Sequence, residues 1–412
     1  MEHRVRLGII GLGVRAETLL ATIKEIPDKI QVTGICDIRS ERIDAFTKKM
    51  TEYQMPSPRT FLDYRQLLED DTVQAVLIPT SWNSHLKIAS FALHAGKYAG
   101  IEVGGATSLD ELWELVHGCE KTGVSCMMLE NCCYGRNELL VLNLVRQGLF
   151  GELIHCSCGY EHYLADQLVK FSEERSQHNF KRCGDLYPTH GLGPIAKILN
   201  INHGNRFLNI SSFAGKGRGF AEAAKAIGKN AAFNEGDIVT SVIRCANGET
   251  ITMTHGVSLP RPYSRDCRVQ GTRGIWLEDA NGIYVEGISR NETIIDVAGI
   301  PYRRECWDPV DAWYEKYDHP IWKRFREHQF GGHGGMDALT LSAFADAVRR
   351  KAPTPIDVYD CAAWMAATCL SEQSIAAGGM PMSFPDFTNG NWIYPLTEEQ
   401  PCRWSLNQVY DC

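Results

Sequence analysis

The sequence has no apolar run close to the roughly 20 residues that a membrane-spanning helix requires, so we expect no membrane partner. It opens with Met1-Glu2-His3-Arg4 and passes directly into a strand-like segment, without the pattern of a signal peptide. This start predicts a cytoplasmic protein. Basic residues are not in excess either, because 42 Lys and Arg stand against 50 Asp and Glu and give a net charge of −8. With no local basic patch to offset that charge, we expect no nucleic-acid partner.

The chain also lacks the close cysteine spacing of metal sites and redox motifs, although it contains 15 cysteines. No two of them have C-x-x-C spacing, whereas structural zinc usually binds closely spaced Cys and His clusters. We therefore predict reduced thiols that pack as small apolar groups, and no bound metal.

What the sequence does have is the composition of a globular protein, with 44% hydrophobic and 22% charged residues. Its 412 residues predict two or three domains. Residues 1–133 alternate short apolar runs with helical patterns, including helices over Ser40 to Met50 and around Thr60 to Leu68. This alternation predicts an α/β domain with a doubly wound parallel sheet of the Rossmann type.

The pattern changes after about residue 135. Strand-like segments follow one another without long helices between them, and Asn247-Gly248 is a strong hairpin signal between two of these segments. Helical patterns return at Asp337 to Lys351 and at Tyr359 to Ala377, followed by a proline-containing, irregular tail. We predict that residues 134–412 form an α+β domain built on a mostly antiparallel sheet.

The first strand-to-helix turn carries a dinucleotide-binding pattern. Gly11-Leu-Gly13-Val-Arg-Ala16 matches G-x-G-x-x-A, in which the glycines permit a tight turn and close approach of the backbone to a pyrophosphate. Asp37 follows the second predicted strand, where a carboxylate can accept both ribose hydroxyls of an adenosine and would repel a 2′-phosphate. The pattern predicts NAD as cofactor, and a tight turn without a ligand is the alternative.

Other polar or aromatic residues follow later strands of the same predicted sheet. The carboxyl ends of parallel strands are where an open α/β sheet holds its ligand, although each such residue could instead cap the next helix. The predicted cofactor contacts from the turn and the strand ends are Gly11, Gly13, Val14, Arg15, Asp37, Trp82, Asn83, His85, Glu102, Val103, Glu130 and Asn131.

An NAD domain followed by an antiparallel domain resembles the Gfo/Idh/MocA oxidoreductases, which typically carry Glu-Lys-Pro where this chain has Glu102-Val103-Gly104. The missing lysine makes an ordinary sugar dehydrogenase less favoured. More specific motifs resemble glycoside hydrolase family 109, the NAD-dependent α-N-acetylgalactosaminidases. These motifs are Glu130-Asn-Cys-Cys-Tyr134, Gly159-Tyr-Glu-His162, Gly184-Asp-Leu-Tyr-Pro-Thr-His190, Arg261-Pro-Tyr263 and Gly331-Gly-His-Gly-Gly-Met-Asp337.

The resemblance implies hydrolysis of a small-molecule glycoside or glycan terminus through transient oxidation. The sugar is oxidised at C3, the aglycone leaves by elimination across C1 and C2, water adds, and C3 is reduced again. NAD would be tightly bound and recycled within each turnover. Such a site needs a base for the C3 hydroxyl, a base for the C2 hydrogen and an acid for the leaving oxygen.

The resemblance also implies roles for individual residues. His190 is the candidate base at the C3 hydroxyl, Tyr160 a candidate base at C2, and His333 the candidate acid for the leaving oxygen. Each could instead be a core residue or, for His333, part of a flexible linker. Tyr187 and His190 are added to the predicted cofactor contacts, and the predicted substrate contacts are Tyr160, His162, Arg175, Tyr187, Tyr263 and His333.

Two other functions stay open at this point. A Gfo/Idh/MocA sugar or cyclitol dehydrogenase would release NADH, and a non-catalytic NAD-bound sugar sensor would bind without turnover. We also expect a homo-oligomer, because an exposed antiparallel sheet face in this kind of fold often packs against a second copy.

Overall fold

The fold was taken from a computed structural model that describes residues 4–169, 174–229, 233–325, 331–394 and 402–411. An α/β part is followed by an α+β part, which confirms the predicted fold class. Among the described helices, none is long and apolar enough to cross a membrane.

The first sheet is parallel throughout, with the strand order β3-β2-β1-β4-β5-β6 of a doubly wound fold. Its central strands are buried on both faces, as continuous apolar runs predict. The strands are β1 (Val5–Ile10), β2 (Ile30–Cys36), β3 (Arg59–Phe61), β4 (Ala75–Ile78), β5 (Tyr98–Ile101) and β6 (Cys126–Met128). The helices are α1 (Val14–Lys24), α2 (Ser40–Glu52), α3 (Tyr64–Leu68), α4 (His85–His94) and α5 (Leu109–Thr122).

The helix predicted around Thr60 to Leu68 is wrong in its first residues. Residues 59–61 form β3 and pair with β2, and the helix begins only at Tyr64. Asp63 sets this start, because its side chain accepts a hydrogen bond from the backbone N–H of Arg65. Strand pairing at the sheet edge therefore overrides the helical pattern of the sequence.

Among the described residues, the second sheet has nine strands in the order β16-β13-β12-β11-β7-β10-β9-β8-β17, in which only the neighbours β7 and β10 pair in parallel. The Asn247-Gly248 hairpin is present, with Gly248 at φ 104°. The strands are β7 (Leu153–Glu161), β8 (Phe207–Ala214), β9 (Val239–Cys245), β10 (Thr250–Gly256), β11 (Arg268–Gly271), β12 (Gly274–Leu277), β13 (Gly282–Val285), β16 (Asp308–Pro309) and β17 (Met382–Ser383). The strands β14 (Asn291–Ile295) and β15 (Pro301–Glu305) form a separate hairpin.

The helices of this second part are α6 (Arg136–Arg146), α7 (Ala165–Leu168), α8 (Glu174–Lys181), α9 (Thr189–Ile198), α10 (Gly219–Ala226), α11 (Tyr314–Tyr317), α12 (Pro320–Phe325), α13 (Met336–Arg350) and α14 (Val358–Ala376). Near the C-terminus, α13 and α14 pack against strands β1 and β6 of the first sheet. Phe344 of α13 packs against Gly100 of β5, where a Cβ atom would lie 3.3 Å from the phenylalanine ring. The start of α13 consequently lies beside the dinucleotide-binding turn. The domain boundary at 133/134 stays a prediction.

Candidate active site

The turn after β1 has the backbone geometry of a phosphate cradle. Gly11 adopts φ +94°, and a Cβ atom there would lie 2.6 Å from the side chain of Thr80, so only glycine fits. Gly13 is the N-cap of α1 and Val14, its first residue, is 83% exposed. An open helix N-terminus with free N–H groups is suited to a pyrophosphate, so these residues fit NAD.

Asp37 lies directly after β2 and next to this turn. Its buried carboxylate accepts hydrogen bonds from the backbone N–H of Leu12 at 2.8 Å and of Arg39 at 3.0 Å. These bonds fix the carboxylate at the carboxyl end of the sheet, beside the first glycine of the turn. That position suits a ribose contact, as the sequence predicts.

Trp82 and the segment after β5 fit against each other. The indole Nε1 donates to the Val103 carbonyl at 3.3 Å, and a Cβ atom on Gly104 would lie 1.9 Å from that nitrogen. Gly104 therefore makes room for the indole of Trp82. Asn83 is exposed in the turn before α4.

His85 is fully buried at the start of α4. Burial, followed by the nearby His178, lowers the pKa of His85 to about 4, so the imidazole is neutral at physiological pH. Neither of its ring nitrogens has a hydrogen-bond partner among the described residues. A buried imidazole with two unused nitrogens at this edge of the sheet is compatible with the predicted cofactor contact.

Arg15 connects the glycine turn to both halves of the molecule. Its Nε donates to Glu102 Oε1 at 2.8 Å, and Nη1 and Nη2 donate to the two oxygens of Asp337 at 2.9 and 3.1 Å. Burial alone would lower the pKa of Arg15, but Glu102 and Asp337 together raise it above its ordinary value. The Arg15 side chain is thus committed to two carboxylates, while its backbone belongs to the predicted cofactor cradle.

His190 and Glu130 form a buried pair. His190 lies in the first turn of α9, Glu130 follows β6, and Nδ1 lies 2.8 and 3.0 Å from the two carboxylate oxygens. Burial would raise the pKa of Glu130, but the imidazole lowers it. An ionised carboxylate can only accept, so Nδ1 of His190 carries the hydrogen and Nε2 is left to act. Burial opposes the charge on His190, but Cys132 and Glu130 outweigh it and raise the pKa of the imidazole well above its usual value.

Aromatic rings surround this histidine. The Tyr160 ring centroid lies 4.5 Å from Tyr187 and 5.7 Å from His190, and its hydroxyl lies 3.2 Å from Nδ1 of His162. Tyr263 packs edge-on against His162 at 5.1 Å. Five of the predicted substrate and catalytic residues, separated by up to 103 positions in the sequence, are therefore neighbours in space.

His333 lies on the glycine loop before α13. It adopts φ 52°, its side chain is 51% exposed, and its Nδ1 lies 2.9 Å from Asp337 Oδ2. Together with Arg136, Glu138 and Arg265 it lines a cavity of about 240 Å³. Arg175, the remaining predicted substrate contact, falls in α8, but its side chain lies outside the described residues.

The His190–Glu130 and His333–Asp337 pairs are connected through two consecutive residues. Glu130 binds His190, and its chain neighbour Asn131 donates from Nδ2 to Asp337 Oδ1 at 2.8 Å. The sequence reasoning did not single out Asp337, although its position four residues after His333 at a helix start was a usable signal. It also missed the buried carboxylates that flank His255, Glu235 at 2.8 Å and Asp185 at 3.6 Å.

Comparison with known families identifies the fold and its two parts. Residues 5–130 match the NAD-binding Rossmann fold of an oxidoreductase family, and residues 134–394 match the glycosyl hydrolase 109 C-terminal domain. The chain belongs to glycoside hydrolase family 109. This membership confirms the resemblance inferred from the motifs, and it makes the chain a glycoside hydrolase with an NAD-binding domain.

Individual relatives agree with the family 109 assignment. An alpha-N-acetylgalactosaminidase from Tannerella forsythia is 40% identical over 430 residues, covering 95% of this chain and 88% of that protein. Another from Shewanella oneidensis is 37% identical over 405 residues, covering 94% and 86%.

Solved structures share the fold at low identity. An NAD binding oxidoreductase from Klebsiella pneumoniae has a TM-score of 0.69 at 15% identity, covering 92% of this chain and 98% of that one. Scyllo-inositol dehydrogenase from Lactobacillus casei, solved with NAD(H) and scyllo-inositol, has a TM-score of 0.63 at 12% identity, covering 92% and 99%. At such identities the likeness to dehydrogenases concerns the fold alone.

Proposed function

We propose that this family 109 enzyme hydrolyses terminal N-acetylgalactosaminides or related hexosides by transient oxidation at C3. The observation that carries the proposal is that consecutive residues, Glu130 and Asn131, connect two carboxylate-bound histidines at the cofactor end of the parallel sheet. Two separate proton-transfer groups suit a reaction that handles one proton at the C3 hydroxyl and another at the leaving oxygen.

NAD held by Gly11, Gly13 and Asp37 would supply a reversible hydride acceptor for C3. Nε2 of His190 removes the proton of the C3 hydroxyl as the hydride leaves. The resulting ketone acidifies the C2 hydrogen, which passes as a proton to the Tyr160 oxygen while the Tyr160 hydroxyl gives its own proton to Nδ1 of His162, 3.2 Å away. The C1–O bond then breaks, and the aglycone oxygen takes a proton from His333. Water addition and the reverse proton transfers complete hydrolysis without net oxidation.

The cofactor is proposed to stay bound through many turnovers, because oxidation and reduction occur in one visit of the substrate. The spectrum of the purified protein after denaturation tests this, and about one equivalent of released NAD is expected from one-site binding. A cofactor-free preparation that splits glycosides at full speed would contradict the oxidation route.

Isotope incorporation tests the mechanism directly. Incubation with p-nitrophenyl α-N-acetylgalactosaminide in D₂O should release nitrophenol and place deuterium at C2 of the sugar, because the C2 hydrogen exchanges with solvent. Nitrophenol release without deuterium at C2 would contradict elimination. Stoichiometric NADH formation from free sugars would favour a dehydrogenase, and sugar binding without turnover would favour a sensor.

We also propose a cytoplasmic homo-oligomer that buries the outer face of the second sheet. Phe213 and Val242 lie on this face at 60% and 44% exposure, and the exposed Thr240 pairs with Phe213 across the two strands. Light scattering during size exclusion should give a dimer or larger species, whereas a monomer at micromolar concentration would contradict the proposal.

A further inference from the structure

Four hydrogen bonds converge on the carboxylate of Asp337, which is 1% exposed at the start of α13. Oδ1 accepts from Asn131 Nδ2 at 2.8 Å and from Arg15 Nη2 at 3.1 Å. Oδ2 lies 2.9 Å from both Arg15 Nη1 and His333 Nδ1. We propose that Asp337 is a positioning residue that holds His333 with its proton on Nδ1 and its Nε2 directed to the leaving oxygen, an inference that rests on the proposed function.

The charge state of Asp337 determines which nitrogen of His333 carries the proton. Burial would raise the pKa of Asp337, but hydrogen bonds from His333 and Arg15 hold it well below its usual value. The carboxylate is therefore ionised at all working pH values and can only accept hydrogen bonds. His333 must donate from Nδ1, which leaves Nε2 to hold the catalytic proton in the imidazolium form and to lack it in the neutral form.

The glycines on either side of His333 allow its contact with Asp337. A Cβ atom on Gly332 would lie 2.5 Å from Asp337 Oδ2, so any side chain there would displace the carboxylate. Gly334 and Gly335 adopt φ values of +65° and +100°, in the left-handed region that glycine tolerates best. The loop thus turns back on the helix start and places the imidazole against the carboxylate one turn later.

Groups from the N-terminal sheet keep Asp337 in place while His333 exchanges its proton. Asn131 follows β6, and Arg15 is held in turn by Glu102 after β5. The carboxylate therefore keeps three hydrogen bonds from fixed donors whatever the state of His333. A partner held in this way can orient an imidazole that is otherwise half exposed.

Leaving-group dependence tests the proposal on the holoenzyme. A dinitrophenyl glycoside needs no acid, whereas a methyl glycoside does. His333→Ala should lower kcat/KM for the methyl glycoside by about 100-fold or more, and Asp337→Asn by about 10-fold or more, with little change for the dinitrophenyl glycoside. Asp346→Asn, on the same helix and paired with Arg349 and Arg350, is the matched control and should change neither value.

The role of His333 as an acid and the positioning role of Asp337 can fail independently. If His333→Ala shows no leaving-group-dependent loss, the proposed role of His333 fails. If it does and Asp337→Asn does not, the positioning role of Asp337 fails.

A measurement on the unmodified enzyme covers the case in which Asp337→Asn does not fold. ¹⁵N NMR, with the His333 signals assigned by their loss in His333→Ala, should show protonation at Nδ1 in the neutral imidazole. Protonation at Nε2 instead would overturn the inference.

Discussion

The two carboxylate–histidine pairs use the same chemistry in different surroundings. The His190 side chain is 14% exposed and its carboxylate comes from 60 residues away, whereas the His333 side chain is 51% exposed and its carboxylate lies four residues further along the same loop and helix. Both imidazoles are bound through Nδ1 to a buried, ionised carboxylate. The two pairs therefore differ in the burial of the histidine and in the sequence separation of its carboxylate, and not in the pairing itself.

The buried pair strongly favours the imidazolium, because the pKa of His190 is raised well above its ordinary value. A base must first lose this proton, so the pair favours activity at higher pH. The exposed pair instead borders a cavity, because His333 is among its lining residues. This difference in burial agrees with the proposed roles of His190 as the base and His333 as the acid.

Replacement of His190 should give the largest effect in the molecule. His190→Ala removes the proposed base for the C3 hydroxyl, so kcat should fall by about 100-fold or more for every leaving group. His94→Ala, on the exposed side of α4, is the control and should keep full activity. The measurement is kcat on dinitrophenyl and methyl glycosides, with NAD content confirmed. A loss confined to poor leaving groups would make the two histidines equivalent and break the comparison.

Much of this arrangement could be predicted from the sequence, because local signals encode it. The glycine turn and Asp37 follow from motif spacing, and His190 and His333 from their family motifs. The start of β3 and the convergence on Asp337 could not, since strand pairing at residues 59–61 and bonds from Arg15 and Asn131 depend on tertiary contacts. Long-range hydrogen bonds leave no periodicity in the chain.

Glu130→Gln should shift the limb of the pH–activity profile that depends on His190. The carboxylate raises the pKa of His190, so its removal lowers that pKa and the rising limb of kcat against pH moves to lower pH by about one to three pH units. Asp337→Asn should leave this limb in place, because Asp337 contacts the other histidine. If Asp337→Asn shifts the rising limb of the pH profile and Glu130→Gln does not, the limb reports His333 and not His190.

Alanine substitutions at Gly332 and Gly334, in the loop that carries His333, should distinguish a clash with Asp337 from backbone strain. Gly332→Ala adds a methyl group against Asp337, and we expect a loss of about 10-fold or less in kcat/KM for the methyl glycoside. Gly334→Ala meets no atom within 4 Å but adopts φ +65°, so it should cost about 1–2 kcal/mol of stability. Thermal melts and kinetics on both variants check this, and equal kinetic losses would count against a specific contact at Gly332.

A chelator should have the smallest effect. Glu130, Cys132 and His190 offer three potential metal ligands within 4.8 Å of one another. The Glu130 carboxylate, however, already accepts from His190 and from the Cys132 backbone N–H at 3.1 Å, so its oxygens are used by the protein. Dialysis against EDTA should therefore leave the activity and melting temperature unchanged. A loss of activity that zinc restores would instead show that Glu130 and His190 bind a metal ion. The buried and exposed pairs would then differ in whether they bind a metal, and not only in burial.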